Sequence, residues 1–545
     1  MTPKTGSTVF TRSRTSIMKS TWFHLLVSSL LVLSCGKGKN VVVVEEDPDA
    51  AEDSTDGGAA GLPNTPGVNG EGQPIPSVLG PLQKPKPTCR APVAEWPGPD
   101  PALPEVAGIL PEGTRSLRVL NRARVYAKPD ATSSLTGVVK QYTRLPLTRY
   151  APAGGGCKKY WLNLGAQRFL CGDNLEADKR ETLLRDQPIL PPGAIVPNKY
   201  GRIRRTGAPY YANASALEAG KPAGTFHAGD MIQLMEFKNL KGKPYWVTGK
   251  KFLVFDEEVL GYQVPDYRGI DLRKLNINLP ASIVRAKSIQ LIPSGDPGGP
   301  ELSGVKPLGH YSLRALYDRK RLDKALFYRI KEGWIPARRV LSAWPAKKVP
   351  PGLKPCEKWI EINVSMQTLV AYEGEEPVYV APIASGEKKH PTRYGIFRVW
   401  AKKAISDMTS GMGSSERYSV DDVPWAMFFF LGQALHGAYW HTDFGHRRSH
   451  GCVNLTPIDA KWLYDWMDPV VPPGWLEVYV DETSPVPGTT VVVRHKYDHE
   501  VPFLRYARKL APPEEVTRLD DLKKQELAEQ TRRMFENKGG GDEDE

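Results

Sequence analysis

The sequence predicts a mainly β protein, and three observations support this fold class. Short apolar runs alternate with polar residues and are separated by turn residues over most of the chain. Between residues 115 and 340 this pattern recurs three times with a period of about 80 residues, which is typical of repeated small modules. Helical patterns are confined to the segment behind residue 456 and to residues 513–537. We therefore expect β modules followed by a larger β-rich domain.

Length and charge limit the function classes. The chain has 545 residues, a formal net charge of +12 and 40% hydrophobic residues. That is enough for about three or four domains with ordinary cores. The positive charge favours contact with anionic surfaces such as cell-wall polymer or lipid head groups. The sequence lacks a basic helix, a zinc module and an RNA-binding sheet motif, so nucleic acid is not an expected partner.

The N-terminal residues have the order of an export signal. Basic residues precede a short apolar run over residues 22–33, and Cys35 follows it. The run is shorter than the roughly 20 residues of a permanent membrane span. Its ending resembles a bacterial lipobox, which implies that Cys35 is lipidated; a plain cleaved signal or an uncleaved anchor is the alternative. Residues 1–35 are therefore the predicted signal of an exported, membrane-anchored envelope protein, expected in the periplasm.

Residues 36–108 are predicted to be a disordered linker. They contain an acidic run followed by Gly/Pro-rich sequence. Such a composition buries too little apolar surface to offset chain entropy. A flexible tether of about seventy residues suits an anchored protein that must reach a polymer.

The three repeats define modules over residues 109–180, 198–262 and 278–345, named here the first, second and third module. Their short strands and turns predict small β-barrels, and they resemble bacterial SH3-like domains. The aromatic residues near the end of each repeat have two interpretations. They either form an exposed groove for cell-wall peptides, or Trp161 and Trp246 are barrel core and the modules are spacers.

A histidine-rich segment, residues 436–454, reads HGAYWHTDFGHRRSHGCVN and holds four of the chain's ten histidines. It also holds Cys452. A thiol is nucleophilic as thiolate, which a neighbouring imidazole and backbone N–H groups promote. In an extended segment residues two apart share a face, so we expect His450 and Cys452 in one pocket. Gly451 leaves its N–H accessible as an oxyanion donor.

His436, followed by Gly437, supplies a second imidazole after the strand-like run 425–431. Three other interpretations compete with a thiol nucleophile. The imidazoles and the thiolate have the chemistry of a zinc site, Cys452 is open to a structural disulfide, and the histidines are otherwise incidental to a loop.

The same residues carry a family resemblance. His-Gly followed about a dozen residues later by Ser-His-Gly-Cys-Val-Asn resembles the signature of the L,D-transpeptidase (YkuD-type) catalytic domain. The resemblance covers residues 357–480, including a first hairpin with Gln367, and we delimit the domain as residues 357–482. The sequence departs from the family at Arg393, where the family has proline. The resemblance implies a mostly β, sandwich-like domain.

The resemblance also implies acyl transfer on peptidoglycan stem peptides. Cys452 would attack a stem-peptide carbonyl, expel the terminal D-alanine and pass the thioester to an amine, which cross-links stems or attaches a protein. By analogy His436 carries the proton, while His450 orients groups or stabilises the thiolate. The residues alone do not decide which of the two imidazoles is the base. No cofactor and no metal are expected.

Other residues of the segment receive secondary roles. His441 and His446 are interpreted as loop-surface residues. The set expected to form the oxyanion hole or position substrate is Ser449, Gly451, Gly437 and Asn454, and the possible substrate-binding set is Tyr439, Arg447 and Arg448.

The chain has six cysteines. With the lipidated cysteine and the nucleophile Cys452 set aside, four remain, an even number. Cys157 and Cys171 flank a predicted hairpin and are the favoured local pair. Cys89 would then pair with Cys356. A bond between Cys356 and Cys452 would instead remove the nucleophile.

Two alternative functions remain at this stage. A hydrolase would resolve the same thioester with water, and a non-catalytic scaffold would bind the wall through its modules alone. The C-terminal extension, residues 483–545, contains a charged helix predicted over residues 513–537 and ends in a predicted disordered acidic tail.

Overall fold

The computed structural model describes residues 89–539, apart from residues 93, 293–294, 296, 410–417 and 496–499. The predicted export signal with Cys35, the linker up to residue 88 and the acidic tail from residue 540 lie outside the described residues. The described part is mainly β, as predicted. Of the helices in that part, none is both long and apolar enough to cross a membrane.

The first module contains two antiparallel sheets, β4-β1-β8 and β3-β2-β7-β6-β5. Trp161 is only 1% exposed and packs against the disulfide Cys157–Cys171. Trp161 is therefore interior, as in the core interpretation, and is not a groove residue. The strands are β1 Ser116–Val119, β2 Ala123–Tyr126, β3 Leu135–Val139, β4 Arg144–Leu145, β5 Arg149–Gly154, β6 Cys157–Asn163, β7 Phe169–Cys171 and β8 Leu175–Asp178.

The linker predicted over residues 36–108 is wrong in its last part, residues 89–108. Cys89 is bonded to Cys356, the Trp96 ring covers the Arg168 guanidinium at 3.3 Å, and Val106 is fully buried in the first module's core. These contacts join residues far apart in sequence. Local composition, on which the prediction depended, carries no information about them.

The second module surrounds a small core built from β9, β12 and β14. Trp246 is half-buried beside that core, and the exposed Phe237 ring lies 4.7 Å from it. The elements are β9 Lys199–Ile203, β10 Ala208–Tyr210, α1 Ala214–Glu218, β11 Gly224–Phe226, β12 Met231–Leu240, β13 Lys243–Thr248, β14 Leu253–Phe255 and β15 Val259–Leu260.

The third module has three small sheets, β20-β17-β24, β18-β19 and β21-β22-β23. Its elements, with two that precede it, are β16 Ile270–Asp271, α2 Leu272–Leu275, β17 Ala281–Val284, β18 Ser288–Ile289, β19 Leu308–Gly309, β20 Leu313–Ala315, β21 Asp318–Leu322, β22 Ala325–Ile330, β23 Gly333–Pro336 and β24 Val340–Ala343. Among the described strands of the modules, hydrogen bonding does not close a barrel. The SH3-like interpretation stays a prediction.

The C-terminal domain packs two sheets around one core. Ile360 and Leu369 from one sheet meet Met427 and Phe429 from the other, and Leu463 of the helix joins them. The elements are β25 Lys358–Asn363, β26 Thr368–Glu373, β27 Glu376–Pro382, β28 Gly395–Arg398, β29 Ala401–Thr409, β30 Ser419–Phe430, β31 Gln433–Gly437, β32 Val453–Leu455, α3 Pro457–Trp466, β33 Trp475–Tyr479 and β34 Thr490–Arg494.

The predicted domain end at residue 482 is wrong, because β34 lies inside the first sheet, whose order is β16-β27-β26-β25-β34-β28. Two helices follow, α4 Ala507–Leu510 and α5 Pro513–Gly539. Val516 and Leu519 of α5 are buried against this sheet, whereas Leu527 is exposed. The long helix therefore docks through its first turns.

The first and second modules share a sheet with the C-terminal domain, since β3 pairs with β33 and β12 meets β30 at Met231 and Val420. The third module instead packs Ile283 and Leu341 into a core shared with Trp359 of the C-terminal domain. The core of the first module includes Trp475 and Val478 from the C-terminal domain. The three modules therefore pack directly against the C-terminal domain and are not separate spacers connected only by linkers.

Candidate active site

Two neighbouring strands position the candidate nucleophile and base. Strands β31 and β32 pair in parallel, with His436 opposite Asn454. Leu435 and Val453 are fully buried in the core between the sheets. Because side chains alternate along a strand, His436 and Asn454 point to the opposite face. Cys452 immediately precedes β32, two residues before Asn454. Strand pairing thus brings His436 beside Asn454, close in sequence to the thiol.

Cys452 is a free thiol with partial exposure. Its Sγ lies 3.7 Å from the Gly432 carbonyl oxygen, in the turn between β30 and β31. Desolvation by the surrounding protein raises the thiol pKa to about 11, and a backbone hydrogen bond from Ala434 opposes the rise. The resting thiol is therefore neutral near pH 7.

His436 is 2% exposed, and its Nδ1 atom has no hydrogen-bond partner in the described structure. Burial lowers the imidazole pKa to about 3. The ring stacks on Trp440 with a centroid separation of 5.7 Å. A neutral imidazole with an unpaired buried nitrogen is able to accept a proton.

The Ser-His-Gly-Cys turn is closed by its own hydrogen bonds. The Ser449 hydroxyl donates to the Cys452 carbonyl oxygen at 2.5 Å and accepts the Gly451 N–H at 3.1 Å. The prediction that the Gly451 N–H is accessible as an oxyanion donor is therefore wrong for this conformation. Gly451 has φ +112°, and the Gln433 amide nitrogen lies 2.6 Å from where its Cβ would be. A side chain at this position meets both strain and a clash.

His450 is exposed and precedes the thiol by two residues. Its ring stacks on His390 at 4.6 Å and lies 4.8 Å from the Tyr418 ring. Burial and, to a lesser degree, Cys452 raise the pKa of the Tyr418 hydroxyl. Tyr418 therefore neighbours both His450 and the thiol, and the sequence interpretation did not identify it.

Four other expected site residues have the following surroundings. Tyr439 is fully buried, stacks on Tyr200 of the second module at 3.8 Å and donates its hydroxyl proton to the Asp421 carbonyl oxygen. Substrate binding by Tyr439 is therefore wrong. A Cβ on Gly437 would lie 3.3–3.4 Å from three neighbouring residues, so this glycine permits close packing. The exposed Arg448 is paired with Asp443 at 3.4 Å, and Arg447 is half-buried.

The interpretation of His441 as a surface residue is wrong. Its Nε2 lies 2.8 Å from the Asn454 side-chain amide, and burial lowers its pKa to about 4. Asn454 is 3% exposed. The Trp-His pair after His436 is the only local signal for this contact, and nothing in its spacing indicates burial.

The helix behind the thiol begins as the sequence predicts. The Thr456 hydroxyl accepts the Asp459 N–H at 3.1 Å, and Pro457 occupies the first helical position. The Asp459 carboxylate in turn accepts the Gly269 N–H at 2.6 Å and the Tyr379 hydroxyl at 2.7 Å. Burial raises the Asp459 pKa to about 6. This network fixes the strand-to-helix connection that follows Cys452.

Residues 357–493 match the family model of the L,D-transpeptidase catalytic domain, YkuD. YciB of Bacillus subtilis (strain 168) is 29% identical over 123 residues, which are 21% of this chain and 63% of YciB. L,D-transpeptidase 2 of Mycobacterium tuberculosis (strain CDC 1551 / Oshkosh) is 35% identical over 98 residues, 16% of this chain and 24% of the relative. The chain thus spans less than two thirds of either curated relative.

Solved structures are similar at lower sequence identity. The structure of the L,D-transpeptidase LdtMt1 in complex with imipenem is 20% identical and covers 31% of this chain and 67% of its own, with a TM-score of 0.21. The NMR structure of the catalytic domain from E. faecium L,D-transpeptidase is 23% identical. The match covers 26% of this chain and 98% of that structure's chain, also with a TM-score of 0.21. At these scores the likeness supports no argument of its own.

The family match, over a segment that contains the free thiol, indicates the class of this domain. Residues 357–493 are an L,D-transpeptidase catalytic domain of the YkuD type. The domain follows the three modules and is itself followed by the helices α4 and α5.

Proposed function

We propose that this protein is an L,D-transpeptidase of the cell envelope, with Cys452 as its nucleophile. One observation carries the proposal. Among the cysteines that the structure describes, Cys452 alone keeps a free thiol, while Cys89, Cys157, Cys171 and Cys356 form two disulfides. That thiol lies within the matched family segment, two residues before Asn454, whose strand partner is His436.

The protonation states determine how the first step proceeds. The thiol pKa near 11 and the imidazole pKa near 3 make a thiolate–imidazolium pair a minor species. Proton transfer from Cys452 to His436 therefore accompanies attack by the sulfur and does not precede it. The new C–S bond forms at the stem-peptide carbonyl carbon, and the imidazolium then protonates the amine of the departing D-alanine as the C–N bond breaks.

The second step regenerates the thiol. An acceptor amine attacks the thioester carbon, His436 takes the amine proton, and the C–S bond breaks as that proton returns to sulfur. With the Gly451 N–H donating to Ser449, the Cys452 N–H is our oxyanion donor, a contact that is commonly worth about 3–4 kcal/mol. Export and lipidation at Cys35 complete the proposal and would anchor the enzyme to a membrane.

The test is a product analysis with a stem tetrapeptide that ends in D-alanine. The full chain should release D-alanine and form a cross-linked dimer, both detected by mass spectrometry. Cys452→Ala should abolish D-alanine release, whereas His227→Ala, a substitution to alanine in the second module, should not change it. Tripeptide without dimer would instead assign a hydrolase, and an unchanged substrate would contradict both enzyme functions.

A further inference from the structure

Residues 441–445, which we call the histidine loop, lie in the connection between β31, which carries His436, and β32, which follows Cys452. His441 in this loop contacts Asn454, whose backbone exchanges two hydrogen bonds with Ala384. Asn454 lies two residues after Cys452 and opposite His436 in the strand pairing. The loop therefore contacts Asn454, the neighbour of the reacting groups, through the His441 side chain.

The hydrogen bonds of His441 fix its tautomer. Its Nδ1 accepts the Asp443 N–H at 3.2 Å. A neutral imidazole that accepts at Nδ1 carries its proton on Nε2, and burial keeps the ring neutral by lowering its pKa to about 4. The Nε2–H must then donate, and the acceptor available at 2.8 Å is the Asn454 amide.

This donor selects one orientation of the Asn454 amide. Two N–H donors cannot face each other, so the Asn454 carbonyl oxygen must point at His441. In the opposite orientation that oxygen is buried and has no partner in the described structure. The selected orientation satisfies the oxygen and turns the amide NH₂ away from the imidazole.

The third module holds the loop in place. The Tyr311 hydroxyl lies 2.8 Å from the Thr442 carbonyl oxygen and 3.1 Å from that of Phe444, the two residues flanking Asp443. The Tyr311 ring stacks on Tyr267 at 3.7 Å. The Thr442 carbonyl belongs to the same peptide group as the Asp443 N–H that His441 accepts, so the contact with Tyr311 fixes that peptide group directly.

A second contact of the third module lies one residue further along the loop. Gly445 has φ +98°, and a Cβ there would lie 3.2 Å from the Leu341 side chain of β24 and 3.4 Å from Arg285. The loop backbone therefore rests directly on the third module.

We propose that the third module is part of the catalytic apparatus: Tyr311 fixes the histidine loop so that His441 orients the Asn454 amide beside Cys452 and His436. Tyr311 and His441 are positioning residues, because they act through Asn454. This inference rests on the proposed transpeptidase function for its activity assay. Its structural part, the tautomer and the amide orientation, is measurable without activity.

The test uses the full chain and four variants. Tyr311→Phe removes both hydrogen bonds and keeps the ring stack, and Tyr317→Phe makes the same change elsewhere in the third module. His441→Phe removes the donor but keeps a ring, whereas His441→Gln places an amide donor near the Nε2 position. The readouts are the rate of acylation by imipenem, the melting temperature, and a long-range ¹H–¹⁵N spectrum of the His441 ring.

The loss of a hydrogen bond of ordinary net strength predicts acylation about tenfold slower in Tyr311→Phe and His441→Phe. His441→Gln should recover most of the rate, Tyr317→Phe should match the wild type, and His441 should be the Nε2–H tautomer. Tyr311→Phe within about twofold of the wild type, or a ring proton on Nδ1, would overturn the inference. If Tyr311→Phe has a lowered melting temperature, the acylation rates of the two His441 variants decide whether the inference holds.

A wild-type chain that imipenem does not acylate would count against the proposed function and not against this inference. In that case the His441 tautomer and its change in Tyr311→Phe decide the matter. An Nε2–H tautomer that is lost in the variant supports the positioning role. An unchanged spectrum contradicts it.

Discussion

Alkylation of Cys452 by iodoacetamide should accelerate about tenfold for each unit of pH between about pH 6 and pH 10. Iodoacetamide is neutral and reacts with thiolate, so its rate follows the thiolate fraction. Burial raises the thiol pKa from 9.0 to about 11, and the rate therefore has no plateau within this range.

The size of the effect follows from the same value. At pH 7 a thiol of pKa 11 is about one part in 10⁴ ionised and a thiol of pKa 9 about one part in 10², so Cys452 should react about 100-fold more slowly than in the unfolded chain. His436, with a pKa near 3, stays neutral above about pH 4 and adds no step to the profile.

The assay is mass-spectrometric detection of alkylation on the peptide that contains Cys452, under excess reagent and with the disulfides kept oxidised. The chain in denaturant gives the reference rate for an unhindered thiol, and His436→Gln should leave the pH slope unchanged. A rate that levels off below pH 8 and drops in His436→Gln would refute the reasoning, because it would reveal a preformed thiolate–imidazolium pair.

Three further predictions concern stability and the turn at the thiol. Burial raises the Asp459 pKa from 3.8 to about 6, so the protonated carboxyl stabilises the fold below pH 3.8. This contribution, about 3 kcal/mol, is lost as the pH rises through about 6. In denaturant titrations Asp459→Asn should remove that part of the pH dependence of the free energy of unfolding. Replacing Cys157 and Cys171 by serine opens a link with a sequence separation of 14 residues and should lower the free energy of unfolding by about 3 kcal/mol, measured by chemical denaturation, without slowing acylation; an unchanged stability would contradict this. Gly451→Ala, strained at φ +112° and in conflict with Gln433, should cost about 1–3 kcal/mol in melting experiments and slow acylation at least tenfold; a wild-type acylation rate would contradict this account of the turn.

Alternation along the strands made much of the C-terminal domain predictable. The alternation over residues 359–364 is typical of a half-buried strand; β25 does span Lys358–Asn363, but the structure buries both of its faces. A threonine, a proline and an acidic residue in this order are typical of a helix start, and they form the cap of α3. These features depend on neighbours within a few residues, which a single sequence displays directly.

Contacts between distant segments were not predictable in the same way. His441 is covered through its contact with Asn454, which lies 13 residues further along the chain. Tyr439 is covered by Tyr200, which lies in the second module. The final strand of the domain pairs in parallel with β25, a partner that alternation does not specify. Sequence periodicity determines which face of a strand is apolar, but it does not determine which module covers that face.

The central claim is that Cys452 attacks a carbonyl, and intact-mass analysis after incubation with imipenem tests it most directly. The account predicts one added imipenem per chain, located by peptide mapping on the peptide that contains Cys452, and no addition to Cys452→Ala. An unmodified Cys452 peptide, an adduct at another residue, or Cys452 found in a disulfide would contradict it.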